Sequence, residues 1–154
     1  MTRRQVITSK LLAVLFYVLA FDLVQLLTAL ATFEWVKQGP YSVKTLLWLL
    51  LGASVVHLAF VAIGLALSAF VSKVKTITSM GVGLVLGTYF LSLLAKLSSK
   101  LDFFKYVSPF KYADAVDIVK RGGLDLRYLT LALAIIVILL AFTYYFYQRK
   151  DLAA

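Results

Sequence analysis

Four long apolar runs constrain the fold of this 154-residue chain more than any other feature of its sequence. They cover about residues 11–33, 45–71, 76–95 and 128–147. A helix needs roughly 20 apolar residues to cross the hydrocarbon core of a bilayer, and each run reaches that length. The sequence therefore predicts an all-α integral membrane protein with four transmembrane helices, forming a single domain over residues 1–154.

Charge and residue usage exclude several classes of function. The chain has no cysteine, so disulfides and thiolate metal sites are excluded, and one histidine with scattered carboxylates cannot supply a metal site. A net charge of +9 would suggest nucleic acid in a soluble protein, but the basic residues flank apolar runs. Membrane orientation and anionic lipid explain them better. We expect a lipid membrane, not nucleic acid, as a partner, and no metal, cofactor or catalytic residue of its own.

The first apolar run has two interpretations. Its basic start resembles a signal peptide, with Ala29-Leu30-Ala31 as a cleavage site. A signal's apolar region is about 7–15 residues long, whereas this run is longer and is interrupted by Asp22 and Gln25. We favour a retained span and keep cleavage as the alternative.

The connection over about residues 100–123 has the composition of neither a span nor a soluble loop. Ser108-Pro109 is a helix-start signal, since Ser can cap free N–H groups and Pro suits the first turn. Gly122-Gly123 is a stop signal. Between them the pattern predicts one amphipathic helix at the membrane interface, re-entrant or flat, with its ring side towards lipid. The polar side holds Lys111, Asp114, Asp117 and Arg121, and the apolar side holds Phe110, Ala113, Val116 and Val119.

Two runs carry polar stripes at helical spacing. Asp22 and Gln25 lie in the first run, and Ser54 and His57 lie in the second. An ionisable group at mid-bilayer costs about 3 kcal/mol or more, so it normally faces protein or water and finds a partner. We expect Asp22 and His57 to face the bundle interior and to contact each other. The alternative is that the polar residues serve only as interhelical glue.

Two further patterns indicate packing more than chemistry. Gly52-Ala53-Ser54 weakly resembles the serine motif of intramembrane proteases, but the histidine lies on the same helix as the serine. Ser79, Gly83 and Gly87 follow one another at i, i+4 and i+8, a ladder that lets another helix approach closely. A dinucleotide fingerprint would need a preceding strand, which this run lacks.

Basic residues at the ends of the runs predict the orientation. Short segments on one side carry Arg3, Arg4, Lys10, Lys73, Lys75, Arg149 and Lys150. Raw counts slightly favour the opposite side, whereas the density of basic residues favours this one. We place both termini in the cytoplasm and the 100–123 connection outside.

Three segments together resemble one family. Thr2-Arg3-Arg4-Gln5-Val6-Ile7-Thr8-Ser9-Lys10 resembles the run before the third span of ABC-2-type transporter permeases. Phe103-Phe104-Lys105-Tyr106-Val107-Ser108-Pro109-Phe110-Lys111-Tyr112 resembles their extracellular segment between the fifth and sixth spans. Phe146-Tyr147-Gln148-Arg149-Lys150-Asp151-Leu152 is similar to their tail. The resemblance covers the last four of the six spans expected, as in a truncated or split permease or part of a longer one.

The resemblance implies the membrane-spanning component of an exporter in a prokaryotic plasma membrane. ATP would be hydrolysed by a separate ATP-binding subunit, and the permease would form a homodimer or pair with another permease. On this basis Arg3, Arg4, Gln5 and Lys10 are expected to contact the ATP-binding subunit. The extracellular gate would comprise Phe104, Ser108, Pro109, Phe110 and Tyr112, and Asp22, Gln25, Ser54 and His57 would line part of the path.

Two other functions stay open from the residues alone. One is a small proton- or cation-coupled carrier that uses Asp22 and His57. The other is a truncated, non-transporting membrane subunit. No cage of charges or aromatic residues singles out one substrate.

Overall fold

Four long helices account for most of the chain in the computed structural model, which describes residues 3–36, 42–71, 74–97, 106 and 108–149, without the side chains of residues 3, 4, 74, 75, 148 and 149. The helices are α1 (Arg3–Val36), α2 (Val43–Phe70), α3 (Val74–Leu97), α4 (Ala115–Arg121) and α5 (Leu126–Arg149), with a short 3-10 helix at Pro109–Ala113. All but α4 are long and apolar enough to cross a membrane. The predicted all-α membrane fold with four spans is confirmed.

Helix α2 is the centre of the bundle. It contacts α1, α3, α4, α5 and the 3-10 helix. Small residues are buried along it, and they let neighbouring helices approach closely. These are Gly52, Ala59, Ala62, Ala66 and Ala69. The largest contact is with α5, where Ala59 and Ala62 pack against Ile136.

The predicted packing ladder of α3 is not used within the described part of the chain. A Cβ atom at Gly83 or Gly87 would meet nothing within 4 Å, and Ser79 is exposed. Close packing falls instead on the alanines of α2, the helix that contacts the five other elements. Contact of the ladder with another chain stays a prediction.

Both ends of the described chain lie at one end of the bundle. Thr8 Oγ1 is 3.0 Å from the Tyr144 hydroxyl, and Lys10 Nζ donates to the Tyr147 hydroxyl at 3.5 Å. The Tyr147 side chain of α5 is buried and contacts Lys10 of α1, whereas Tyr145 is half exposed. The even number of long helices therefore brings the start of α1 beside the end of α5.

The predicted single amphipathic helix after Ser108 is wrong: the segment is broken at Asp114. This residue has extended backbone angles (φ −63°, ψ 114°), and its Oδ1 accepts from Val116 N at 3.0 Å. A carboxylate that caps the following turn competes with continuation of the helix through it. The predicted stop at Gly122 is confirmed, because its φ of +71° lies in the left-handed region that favours glycine.

Candidate functional site

Asp22, Ser54 and His57 form a hydrogen-bonded cluster near the midpoints of α1 and α2. Ser54 Oγ donates to Asp22 Oδ2 at 2.6 Å, and His57 Nδ1 lies 2.9 Å from Asp22 Oδ1. The Asp22 side chain is 14% exposed and that of His57 is 30% exposed. The predicted contact between the two ionisable side chains is confirmed. It joins the two helices where an unpaired charge would cost most.

The order of the three groups limits their chemistry. Asp22 lies between Ser54 and His57, whereas a nucleophilic serine needs the histidine beside it as general base. The carbonyl oxygen of Leu50, 3.0 Å from Ser54 Oγ, offers that hydroxyl a second acceptor. The weak likeness to intramembrane serine proteases is therefore wrong. When Asp22 is ionised its carboxylate can only accept, so the hydrogen of this contact is then on His57 Nδ1, and Nε2 is the ring atom left for a ligand.

Gln25 lies one turn from Asp22 on the same side of α1 but is not hydrogen-bonded into the cluster. Its Oε1 is buried and has no partner among the described residues. Further along, Thr32 Oγ1 donates to the Thr28 carbonyl of its own helix at 2.8 Å. Of the four residues predicted for a polar path, the structure brings three together and leaves Gln25 beside them.

A groove of about 420 Å³ runs along α1 and α2 on one side of the cluster. Its wall consists of His57 and mainly apolar side chains, namely Val14, Tyr17, Val18, Phe21, Phe60 and Val61. The Phe21 ring meets the His57 ring edge-on, with centroids 5.5 Å apart. These aromatic residues were not among those predicted for the polar path. The spacing of Val14, Tyr17, Val18 and Phe21 by three and four, next to Asp22, was the available signal.

The segment after α3 is built into the bundle through residues predicted for an outer gate. Ser108 is fully buried, and its Oγ donates to the Thr88 carbonyl at 2.9 Å instead of capping the next turn as predicted. The Phe110 ring lies 5.2 Å from that of Phe60 and 5.7 Å from that of Tyr89. Pro109 is buried at the first helical position, and Phe104 lies outside the described residues.

The rings of this segment face the helices, which corrects the prediction that they face lipid. Tyr112 is 4% exposed, clusters with Val55 and Ala132, and donates its hydroxyl to the Tyr106 carbonyl at 2.6 Å. Val116 and Val119 are more than half exposed. The predicted apolar side is therefore split: its first part packs on the helices, whereas its valines in α4 are exposed. The reason is that the break at Asp114 rotates α4 relative to the 3-10 helix.

The contacts of this segment lie inside the helix bundle, below the ends of α2 and α3. Thr88 lies nine residues before the end of α3, and Gly52 lies nine residues after the start of α2. At 1.5 Å rise per residue, both positions are about 13 Å from the helix ends. A Cβ at Gly52 would lie 2.9 Å from Ala113 Cβ and 3.0 Å from Ile118 Cδ1. We name residues 108–121 the re-entrant segment.

An ionic network connects the re-entrant segment to α3. Asp114 Oδ2 lies 2.9 Å from Lys96 Nζ and 3.2 Å from Lys111 Nζ, which also contacts Asp117 at 2.5 Å. Burial alone would raise the pKa of Asp114, but Lys96 and Lys111 outweigh it and hold that pKa below 3.8. Burial alone would lower the pKa of Lys111, but Asp117 and Asp114 outweigh it and raise that pKa above 10.5.

The residues predicted to contact an ATP-binding subunit lie at the opposite end of the bundle. Arg3 and Arg4 begin α1, and their side chains are outside the described part. Gln5 is exposed. Lys10 is exposed too, but its ammonium lies 5.7 Å from the centre of the Tyr147 ring and so is directed along the bundle.

Among the described residues, no three histidine, aspartate or glutamate side chains converge as a metal site would require. Comparisons with known protein families, with curated proteins and with solved structures find no match for this chain.

Proposed function

We propose that the chain is the membrane-spanning permease component of an ABC-2-type exporter in a prokaryotic plasma membrane. In this proposal a separate ATP-binding subunit hydrolyses ATP, and the permease works as a homodimer or with a second permease. The re-entrant segment is the observation that carries the proposal. It enters the bundle at the end opposite the chain termini, where an outer closure of a transport path would lie.

The arrangement of the bundle supports the mechanism in two ways. The re-entrant segment contacts α2, α3 and α5, so relative movement of those helices would move it. Beside the ring contact between Phe110 and Tyr89, two of its links to α3 are polar, through Ser108 and Asp114. Polar links can exchange partners during movement at less cost than a close-packed apolar contact. Motion delivered at the termini would thus reach the outer end through α2.

Isolation of the chain with its partner tests this proposal. The tagged full-length protein, purified in mild detergent from its own cells, should retain an ATP-binding subunit with measurable ATPase activity. Arg3→Glu with Arg4→Glu should release that subunit. Lys44→Glu is the matched control, since Lys44 is an exposed basic residue at the other end of the bundle. Loss of the subunit with the control, or purification without any ATP-binding protein, would contradict the proposal.

A second candidate function is a proton- or cation-coupled carrier, and the Asp22–His57 contact favours it. A carboxylate and an imidazole 2.9 Å apart at mid-bundle can bind and release a proton or exchange it for a cation. In proteoliposomes that contain this chain alone, a pH gradient would then drive uptake that Asp22→Asn abolishes. Flux that requires ATP and the partner subunit would instead exclude this candidate.

A further inference from the structure

The groove between α1 and α2 is open to the outside of the bundle and has the volume and lining of a ligand site. Its volume of about 420 Å³ falls in the range of small-molecule pockets, roughly 300–1,000 Å³. Such pockets are mostly apolar with a few polar groups that fix the ligand's orientation. Here the polar groups in the wall are the His57 ring and the Tyr17 hydroxyl, and Asp22, which is not part of the wall, holds His57 in place.

Aromatic rings give the groove a preference for positive charge. Tyr17, Phe21 and Phe60 contribute three rings to its wall. A ring face carries negative electrostatic potential and attracts a cation within about 6 Å of its centre. This attraction is stronger where the cation is removed from water.

The charges around the groove also favour a cation over an anion. No lysine or arginine belongs to the wall, and the Asp22 carboxylate is hydrogen-bonded to His57, 2.9 Å from its Nδ1. While His57 is neutral, its Nδ1–H donates a hydrogen bond to Asp22, and its Nε2 presents a lone pair. Along α1 the next basic residue, Lys10, lies one turn beyond Val14 and contacts Tyr147 instead. A cation entering the groove would therefore be attracted and an anion repelled.

We propose that this groove binds lipophilic cations, compounds with an apolar body and one positive charge. The proposal rests on the proposed transport function and deepens it, because it names the class of substrate. A lipid acyl chain would fill the same volume, but it would use neither the ring faces nor the carboxylate. Dependence on charge therefore separates the two occupants.

Two ions of nearly equal size and opposite charge supply the test. The full-length chain in nanodiscs is dialysed against radiolabelled tetraphenylphosphonium or tetraphenylborate, with empty nanodiscs as background. We expect saturable binding of the cation and none of the anion. Asp22→Asn should weaken cation binding about tenfold, through loss of a nearby charge in a low-dielectric site. Thr28→Val is the control, since the Thr28 hydroxyl bonds only within its own helix.

Ring substitutions keep the test valid if Asp22→Asn does not fold. Phe60→Leu should weaken cation binding about threefold through loss of one ring face. Phe90→Leu, at an exposed ring of α3, should leave it unchanged. Equal binding of both ions would show an apolar groove filled by lipid and overturn the proposal. Cation binding unaffected by both Asp22→Asn and Phe60→Leu would overturn it as well.

This measurement is independent of the partner subunit, since it uses neither nucleotide nor a second protein. If the cation binds in a charge-dependent way but no ATP-binding subunit co-purifies, the proposal for the groove stands and the exporter proposal is wrong. If an ATP-binding subunit co-purifies but the cation does not bind, the exporter proposal stands and lipophilic cations are excluded as its substrates.

Discussion

His57 Nδ1 lies 2.9 Å from Asp22 Oδ1, so two ionisable side chains join α1 to α2 at the middle of the bundle. Each group alone would be costly at that depth. Together, and with the Ser54 hydroxyl on the other carboxylate oxygen, both oxygens of Asp22 and Nδ1 of His57 have partners within the protein. The pair therefore contributes to helix association whether or not it also carries protons or ligand.

The first prediction concerns the energy of this pair. Double-mutant cycles of interhelical hydrogen bonds in membranes average about 0.6 kcal/mol and reach about 1.7. Because one partner carries charge, we expect Asp22→Ala and His57→Ala to couple by about 1–2 kcal/mol. Unfolding in mixed detergent micelles measures the free energies of the four proteins.

Thr28→Ala with His57→Ala is the control cycle, since Thr28 donates to the carbonyl of Val24 in its own helix. It should show no coupling. A coupling energy for Asp22 and His57 that does not exceed this control would contradict the first prediction.

The second prediction concerns the close contact between the re-entrant segment and α2. Gly52→Ala places a methyl group 2.9 Å from Ala113 Cβ, which is closer than real Cβ contacts allow. Ala113 is short and cannot move aside, so the segment must shift, at about 1–3 kcal/mol. Gly64→Ala on the same helix meets nothing within 4 Å and should be neutral or stabilising by up to about 1 kcal/mol. Free energies of unfolding that are equal for the two variants would show that Gly52 does not seat the segment.

The third prediction separates two roles of Asp114. Asp114→Asn keeps a side chain that caps α4 but removes the charge that binds Lys96 and Lys111. Asp114→Ala removes the cap as well, and should cost a further 0.5–2 kcal/mol or so. Proteolysis of the re-entrant segment in detergent should rise from wild type to Asn to Ala. Identical rates for the Asn and Ala variants would mean that the cap contributes nothing.

The same network predicts how stability depends on pH. The folded-state pKa of Asp114 lies below 3.8, so its contribution is present above that value and is lost as the pH falls through the folded pKa. The folded-state pKa of Lys111 lies above 10.5, so its contribution is present below that value and is lost as the pH rises through the folded pKa. We expect stability from this network to be flat between the two limits. Asp114→Asn should reduce the loss of stability at acidic pH. An unchanged dependence of the free energy of unfolding on acidic pH would contradict this.

The fourth prediction concerns orientation, for which the chain offers a clean background because it has no cysteine. Ser9→Cys marks the end of the bundle with the termini, and Val116→Cys marks the re-entrant end, where Val116 is 54% exposed. A membrane-impermeant thiol reagent should label Val116→Cys in intact cells. It should label Ser9→Cys only after the cells are permeabilised. The reverse pattern would place the termini outside, and labelling of both in intact cells would contradict the four-span arrangement.

Much of the fold could be predicted from the sequence because lipid leaves few choices. A backbone in the bilayer core must satisfy its own hydrogen bonds, so a run of about 20 apolar residues there becomes a helix. Consecutive spans form antiparallel neighbours. This predicts that Asp22 and His57, each near the middle of its run, lie at similar depth. The stop at Gly122 was predictable for a similarly local reason.

Other features were decided only by contacts between residues far apart in the chain. The choice of the α2 alanines over the α3 glycines for close packing depends on which helix occupies the centre. Ser108 donates to Thr88 instead of capping because α3 brings a carbonyl within 2.9 Å. The aromatic groove beside His57 exists only because α1 brings Tyr17 and Phe21 next to His57 and Phe60 of α2. Hydropathy and spacing thus determined which segments are helices, and the tertiary structure decided which faces meet, because that depends on the shapes of surfaces brought together from distant parts of the sequence.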